Sequence, residues 1–220
     1  MARQRKISAD DILDATERVI LRLGPVGMSI DAVAREAAVS KSRVVYDHKS
    51  KSELLMALMS RHHARHEADQ EKAVADHADS PHPELFGRIA MAERAPDDTE
   101  RAVFMAVNAA MPCEVEIQAK IREWVRKDMA DIRKGERPHA ATMALLALSG
   151  LCWTEFSGVH EWSARERRRI LDGIRMIFAT LPEPAPEPES EPEPETTSEP
   201  ASEPLAAPAS NAPSGSENEG

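Results

Sequence analysis

The chain has 220 residues, enough for a sizeable core in one or two domains, and a formal charge of −10. That charge has one location: ten acidic residues and no Lys or Arg follow Pro182, leaving 28 acidic against 28 basic residues in 1–181. The acidic balance therefore excludes nothing about a nucleic-acid partner, and residues 1–51 carry ten Lys and Arg against seven Asp and Glu. Two cysteines, Cys113 and Cys152, make no disulfide framework and fit a reducing compartment. Arg3, Arg5 and Lys6 lead into polar Ser8 to Asp11, without the apolar run of a secretory leader. The most apolar stretch, 140–156, is short for a membrane span and is broken by Thr142, Ser149 and Thr154, so a buried helix is expected. The expectation is a cytoplasmic protein with no membrane partner.

In chain order, Ser8 with Asp11 is a helix-start signal, followed by Ile12, Leu13, Thr16, Val19, Ile20 and Leu23 at helical spacing. Gly24-Pro25 stops that helix. Ser29 caps a second, short helix with Val33, Ala34 and Ala37 on one face, and Ser40 caps a third. Ser50 with Glu53 opens a fourth, apolar at Leu54, Leu55, Leu58 and Met59 and polar beyond Arg61; its far half is expected to be a solvent-facing connector. Ser80-Pro81-His82-Pro83 breaks the chain. Helical patterns follow over 83–94, 98–111, 114–134, 138–157 and 163–181, punctuated by Pro96, Pro112, Gly135 and Pro138. In the last, Ile170, Leu171, Ile174, Ile177, Phe178 and Leu181 form an apolar stripe expected to lie opposite Arg167, Arg168 and Arg175. No alternating strand pattern appears, so the fold class is all-α with about nine helices. From Pro182 the composition turns to Pro, Glu, Ser and Ala, which buries too little apolar surface to offset ordering entropy, and a disordered acidic tail over 182–220 is expected.

The stretch 39–48, VSKSRVVYDH, carries the functional signal. Two short helices joined by a tight turn, the second capped by Ser40 and basic at its start, form a helix-turn-helix. A helix entering the major groove needs polar residues at its N-terminal end and an apolar back against its partners. Val39 and Val44 supply the back; Lys41, Ser42, Arg43 and Tyr46 project forward, with Arg43 best able to grip a guanine bidentately.

From about Ile7 to Met59 the sequence resembles the DNA-binding domain of the TetR family of transcriptional regulators. The matching pieces are Ile12 to Ala15, Gly27 to Ala34, Ala37 to Lys41, and Ser50-Lys51 with Leu54-Leu55. The resemblance implies a three-helix DNA-binding domain over 1–59, a helical effector-binding and dimerisation domain over 60–181, and a homodimer on double-stranded operator DNA. It implies phosphate contacts from Ser29 and Ser40, groove contacts from Lys41, Ser42, Arg43 and Tyr46, and backbone contacts from Lys49 and Lys51. The sequence departs from the pattern where Val45 replaces a usual Tyr and Asp47-His48 a usual His-Phe. Asp47 puts a carboxylate near a polyanion unless Arg43 or Lys49 pairs with it, and His48 faces the inner side in place of a packing aromatic. Ala38 stands where Gly is frequent and is strained if its φ is positive.

In the second half, the helices over 138–157 and 163–181 are the dimer candidates, with small residues Ala144, Ala147, Ser149 and Gly150 permitting close approach. Phe86, Phe104, Met105, Trp124, Met143, Trp153 and Phe156 are either core or the lining of a pocket for an apolar or aromatic small-molecule effector. His62 and His66 have the i, i+4 spacing of a metal pair with Glu67 adjacent, yet no Cys ligand or acidic base motif accompanies them and Arg61, Arg65 and Asp69 mark an exposed face, so neither metal nor other cofactor is expected. No nucleophile–base pair is evident either, and the chain is read as a non-enzymatic, ligand-responsive repressor. The alternative in another class is a helical interaction protein whose helix-turn-helix is vestigial.

Overall fold

The structure, a computed structural model, describes residues 7–135 and 137–185. Arg3, Arg5 and Lys6, and the expected tail beyond Ala185, lie outside the described residues. Among those described there are nine helices and no strand: α1 (Ala9–Gly27), α2 (Ile30–Glu36), α3 (Lys41–Asp47), α4 (Lys51–Asp76), α5 (Pro83–Met91), α6 (Asp98–Ala110), α7 (Val115–Ile132), α8 (Pro138–Phe156) and α9 (Ala164–Thr180).

The ends of these helices follow from local chemistry. Ser8 and Asp11 cap each other's backbone at the start of α1 (2.8 and 3.1 Å), and Ser163 with Glu166 does the same for α9. Asp97 with Glu100 forms a third reciprocal cap, at α6. At α4, Ser50 accepts from the Glu53 N–H, but the Glu53 carboxylate turns to the Lys49 N–H (2.7 Å). Gly24, at φ 69°, breaks α1 ahead of Pro25. The start of α8 has no cap of its own, and Glu183 supplies one by accepting from the N–H groups of His139 and Ala140, both at 2.9 Å. Arg137 returns the favour by donating to the carbonyls of Ala179 and Leu181 at the end of α9. The first acidic residue of the Pro/Glu-rich stretch is thus part of the fold.

Two cores hold the helices. The first joins Ile12, Val19 and Ile20 of α1 with Val33, Val44, Leu54 and Leu58, and continues past residue 59 into Val103, Ala106 and Val107 of α6 and Ile117 of α7. The second packs Leu85 and Ile89 of α5 and Ile132 of α7 against α8 and the Leu171, Ile174 and Phe178 stripe of α9. Each fully buried Leu or Ile contributes roughly 1.5–3 kcal/mol by leaving water. His82 sews the second core together: its Nδ1 accepts from the Leu85 N–H, so Nε2 carries the proton and donates to the Ile132 carbonyl (2.8 Å).

One expectation needs qualification and another correction. The far half of α4 is solvent-facing over much of its surface, as expected, but one side packs along α5 so closely that a Cβ on Gly87 would lie 2.8 Å from the Val74 nitrogen. Arg167 does not lie on the outer side of α9 with Arg168. It is buried, 9% exposed, and gives two hydrogen bonds to the buried carboxylate of Glu155 on α8.

Candidate nucleic-acid interface and helical cleft

The turn between α2 and α3 is built by the backbone. Ala37 and Val39 N–H groups return to the carbonyls of Val33 and Ala34, and Ala38 sits at φ 53°, the left-handed region. Ser29 and Ser40 cap their helices by accepting from the N–H groups of Ala32 and Arg43, both at 3.2 Å. Val44 is fully buried and pins the seven-residue α3 to the first core. The opposite face is presented outward: Lys41, Ser42 and Tyr46 are exposed, with Tyr46 82% exposed, and Lys49 and Lys51 flank them.

These groups already interact with one another. Lys41 Nζ reaches Asp31 (3.1 Å), the Ser42 and Ser40 hydroxyls share a hydrogen bond (2.9 Å), and Lys51 Nζ donates to the Pro25 carbonyl (3.1 Å). Arg43 is half-buried: it pairs with Asp47 one turn on (3.0 Å), donates to the Ile7 carbonyl (3.2 Å) and lies 5.8 Å from the centre of the Tyr46 ring. The carboxylate that would repel phosphate is neutralised in place, and the arginine expected to be forward-reaching is engaged sideways. Behind it, Asp47 Oδ2 and His48 Nε2 are buried without a partner among the described residues, and burial holds the His48 pKa below its ordinary value.

Between α4, α5, α6, α7 and α8 lies a cleft of three adjoining cavities, of about 490, 430 and 400 Å³, all bordered by His66. Phe104 and Phe156 line two of them, Trp124 two, and Trp153 one. The other aromatic and sulfur candidates lie elsewhere. Phe86 packs edge-on against Phe178 in the second core, and Met105 and Met143 are exposed and line none of these cavities. What periodicity did not reveal is the polar content. Arg88 donates to Gln70 of α4 and Asp128 of α7 (3.0 and 2.9 Å), Arg94 pairs with Glu100 (2.6 Å), and His63 stacks on Trp124 at 3.7 Å. Desolvation, then the charge of Arg88, holds the His66 pKa low; desolvation does the same for His63. Burial pushes the Cys152 thiol at the cleft wall up to about 11, an unreactive form at neutral pH. His62 bonds Glu17 of α1 rather than His66 (2.9 Å), and no three His, Cys, Asp or Glu side chains come together as a metal set among the described residues.

Cleft and helix-turn-helix are joined by α4. Near its middle, Arg61 bridges to Asp14 (2.8 Å) and Glu17 of α1, and α6, whose Phe104 walls the cleft, packs along α1 in the first core.

Residues 88–178, spanning α5 to α9, match the family model of the tetracyclin repressor-like C-terminal domain. Over that span the chain is similar to the TetR family. The likeness in fold extends over the helix-turn-helix as well. A transcriptional regulator from Rhodococcus sp. Rha1 is 20% identical with a TM-score of 0.62, covering 79% of this chain and 97% of its own. A putative transcriptional regulator from Saccharomonospora viridis in complex with choline is 18% identical with a TM-score of 0.60, covering 76% and 95%. The multidrug binding protein EbrR, in complex with imidazole, is 19% identical with a TM-score of 0.57, covering 82% and 98%. No curated protein matches the sequence. No helix among the described residues is long and apolar enough to cross a membrane.

Proposed function

We propose that the chain is a homodimeric TetR-family repressor that binds a near-palindromic operator and releases it when a small molecule enters the cleft. The observation that carries the proposal is the pairing of an outward α3, pinned by Val44, with a cleft whose walls α4 and α6 pack directly on the DNA-reading core. The domains divide by role, 1–59 reading DNA and 60–181 binding effector and partner, although the first core runs through both. Lys41, Ser42 and Tyr46 meet the groove, and Ser29, Ser40, Lys49 and Lys51 the phosphates. Arg43 joins the groove contacts by exchanging Asp47 for a base edge.

A partner subunit supplies the second reading head. On α8, Met143, Leu146, Gly150 and Trp153 are exposed at i, i+3, i+7 and i+10, beside the exposed Met176 of α9, and these faces close a four-helix bundle across a two-fold axis. Ala144 faces the core, so close approach falls to Gly150, where a Cβ would meet open space. The relatives bound to choline and imidazole support a small-molecule ligand for the cleft. The engagement of Arg43 with Asp47 favours a second reading, a helical interaction protein with a weakened helix-turn-helix.

Gel-shift titration of genomic fragments at two salt concentrations separates the two. A regulator shows a discrete site and a steep salt slope, Tyr46→Ala weakens it, and Arg43→Ala lowers base discrimination by roughly 1–3 kcal/mol. Unchanged binding by both variants removes α3 from the interface.

A further inference from the structure

We propose that the inner cavity, of about 430 Å³, takes a small organic acid, with the carboxylate held by Arg88 in place of Asp128 and the apolar body among Phe104, Trp153 and Phe156. The proposal rests on the cleft being the effector site. Arg88 is 9% exposed, a charge held almost wholly out of water. Its Nη1 donates to Gln70 and its Nη2 to Asp128, while Nε is buried and has no acceptor among the described residues. A carboxylate arriving side-on accepts from Nε and Nη2 together, the bidentate geometry guanidinium favours, and satisfies a donor the protein leaves idle.

Nη2 is where Asp128 now sits, so ligand and Asp128 compete, and the competition is uneven. The Asp128 side chain is 40% exposed and returns to water, whereas Arg88 has no such exit. Exchanging one carboxylate for another also preserves the charge balance of the cavity. Its other acids are already held, Glu100 by Arg94 and Glu155 by Arg167, so an organic cation finds no free counter-charge there. Because Asp128 belongs to α7 and Gln70 to α4, a ligand that takes Arg88 from Asp128 unfastens α7 from α5 and leaves Arg88 bonded to α4, the helix that leads to the helix-turn-helix.

The test uses the full chain and three matched probes, phenylacetate, phenylacetamide and phenethylamine, with binding read by titration calorimetry. Phenylacetate binds in preference to the other two; Arg88→Lys, which loses Nε and the fork, weakens it at least about tenfold. Asp128→Asn, which removes the competitor, tightens it several-fold. Opposite signs from the two partners are not what simple damage to the fold produces, and circular dichroism confirms that each variant is folded. Preference for the amine or the amide, an Arg88-independent response, or no binding by any probe overturns the proposal. Release of bound DNA is scored separately. Arg88-dependent binding that leaves the DNA complex intact removes the effector reading and keeps the site; DNA release by the amine keeps the effector reading and removes the acid.

Discussion

Asp47 and His48 end α3 with two buried polar atoms, Oδ2 and Nε2, that have no partner among the described residues. Each is a local cost, and for His48 it is also a pH-dependent one. Burial lowers the folded pKa of His48 below its ordinary 6.5, so the unfolded chain binds the proton more readily. The stability tied to neutral His48 is complete above pH 6.5 and is lost as the pH falls through the folded value; His63 and His66, also shifted down by burial, act in the same direction. His48→Phe, which replaces an unsatisfied ring with an apolar one, is expected to stabilise the protein by about 1 kcal/mol near neutrality and to flatten its acid limb without abolishing it. Urea midpoints measured across this pH range check both; a destabilised variant with an unchanged acid limb contradicts the assignment. The inward turn of His48 and the positive φ of Ala38 were legible in the sequence as departures from the family pattern. The Arg43–Asp47 pair was legible only as one of two options, since i, i+4 spacing permits a contact without choosing between Lys49 and Arg43.

At the scale of the elements, helix starts were legible because caps are local: Ser8 with Asp11 and Ser163 with Glu166 announce α1 and α9, and Gly24-Pro25 ends α1. The packed side of the far half of α4 was not legible, because its partners are polar and distant in sequence. Gln70 meets Arg88, Glu67 meets Lys127, and Gly87 brings a neighbouring backbone within contact distance. The same holds for Arg167, whose inward turn depends on Glu155 of the preceding helix. The aromatic set divides for a comparable reason. Phe104, Trp124, Trp153 and Phe156 meet at the cleft, but composition does not distinguish them from Phe86, which fills the second core, or from Met105 and Met143 on the surface. The exposed row on α8 carries its own prediction. Leu146 is 50% exposed in the single chain, so Leu146→Glu leaves the fold intact and shifts the dimer to monomer in sedimentation at micromolar concentration. An unchanged dimer places the interface elsewhere.

In the molecule as a whole, one wall of the cleft and the helix-turn-helix share a single hydrophobic core. The first core runs from α1 through α3 and α4 to α6 and the start of α7, and Arg61 ties the middle of α4 to α1. A ligand seated between α4, α6 and α7 therefore biases the placement of α3, and in a dimer a small rotation changes the separation of the two reading heads. The acidic balance of the chain, −10, says little about this, since residues 1–51, proposed to read DNA, carry more base than acid. The most direct test is selection of genomic fragments by the purified protein, followed by footprinting of those retained. A homodimeric reader protects one region with two half-sites related by a two-fold axis, centred about one helical turn (~34–36 Å) or a multiple apart. Binding that is salt-sensitive but without sequence preference, or a single asymmetric half-site, would contradict that reading.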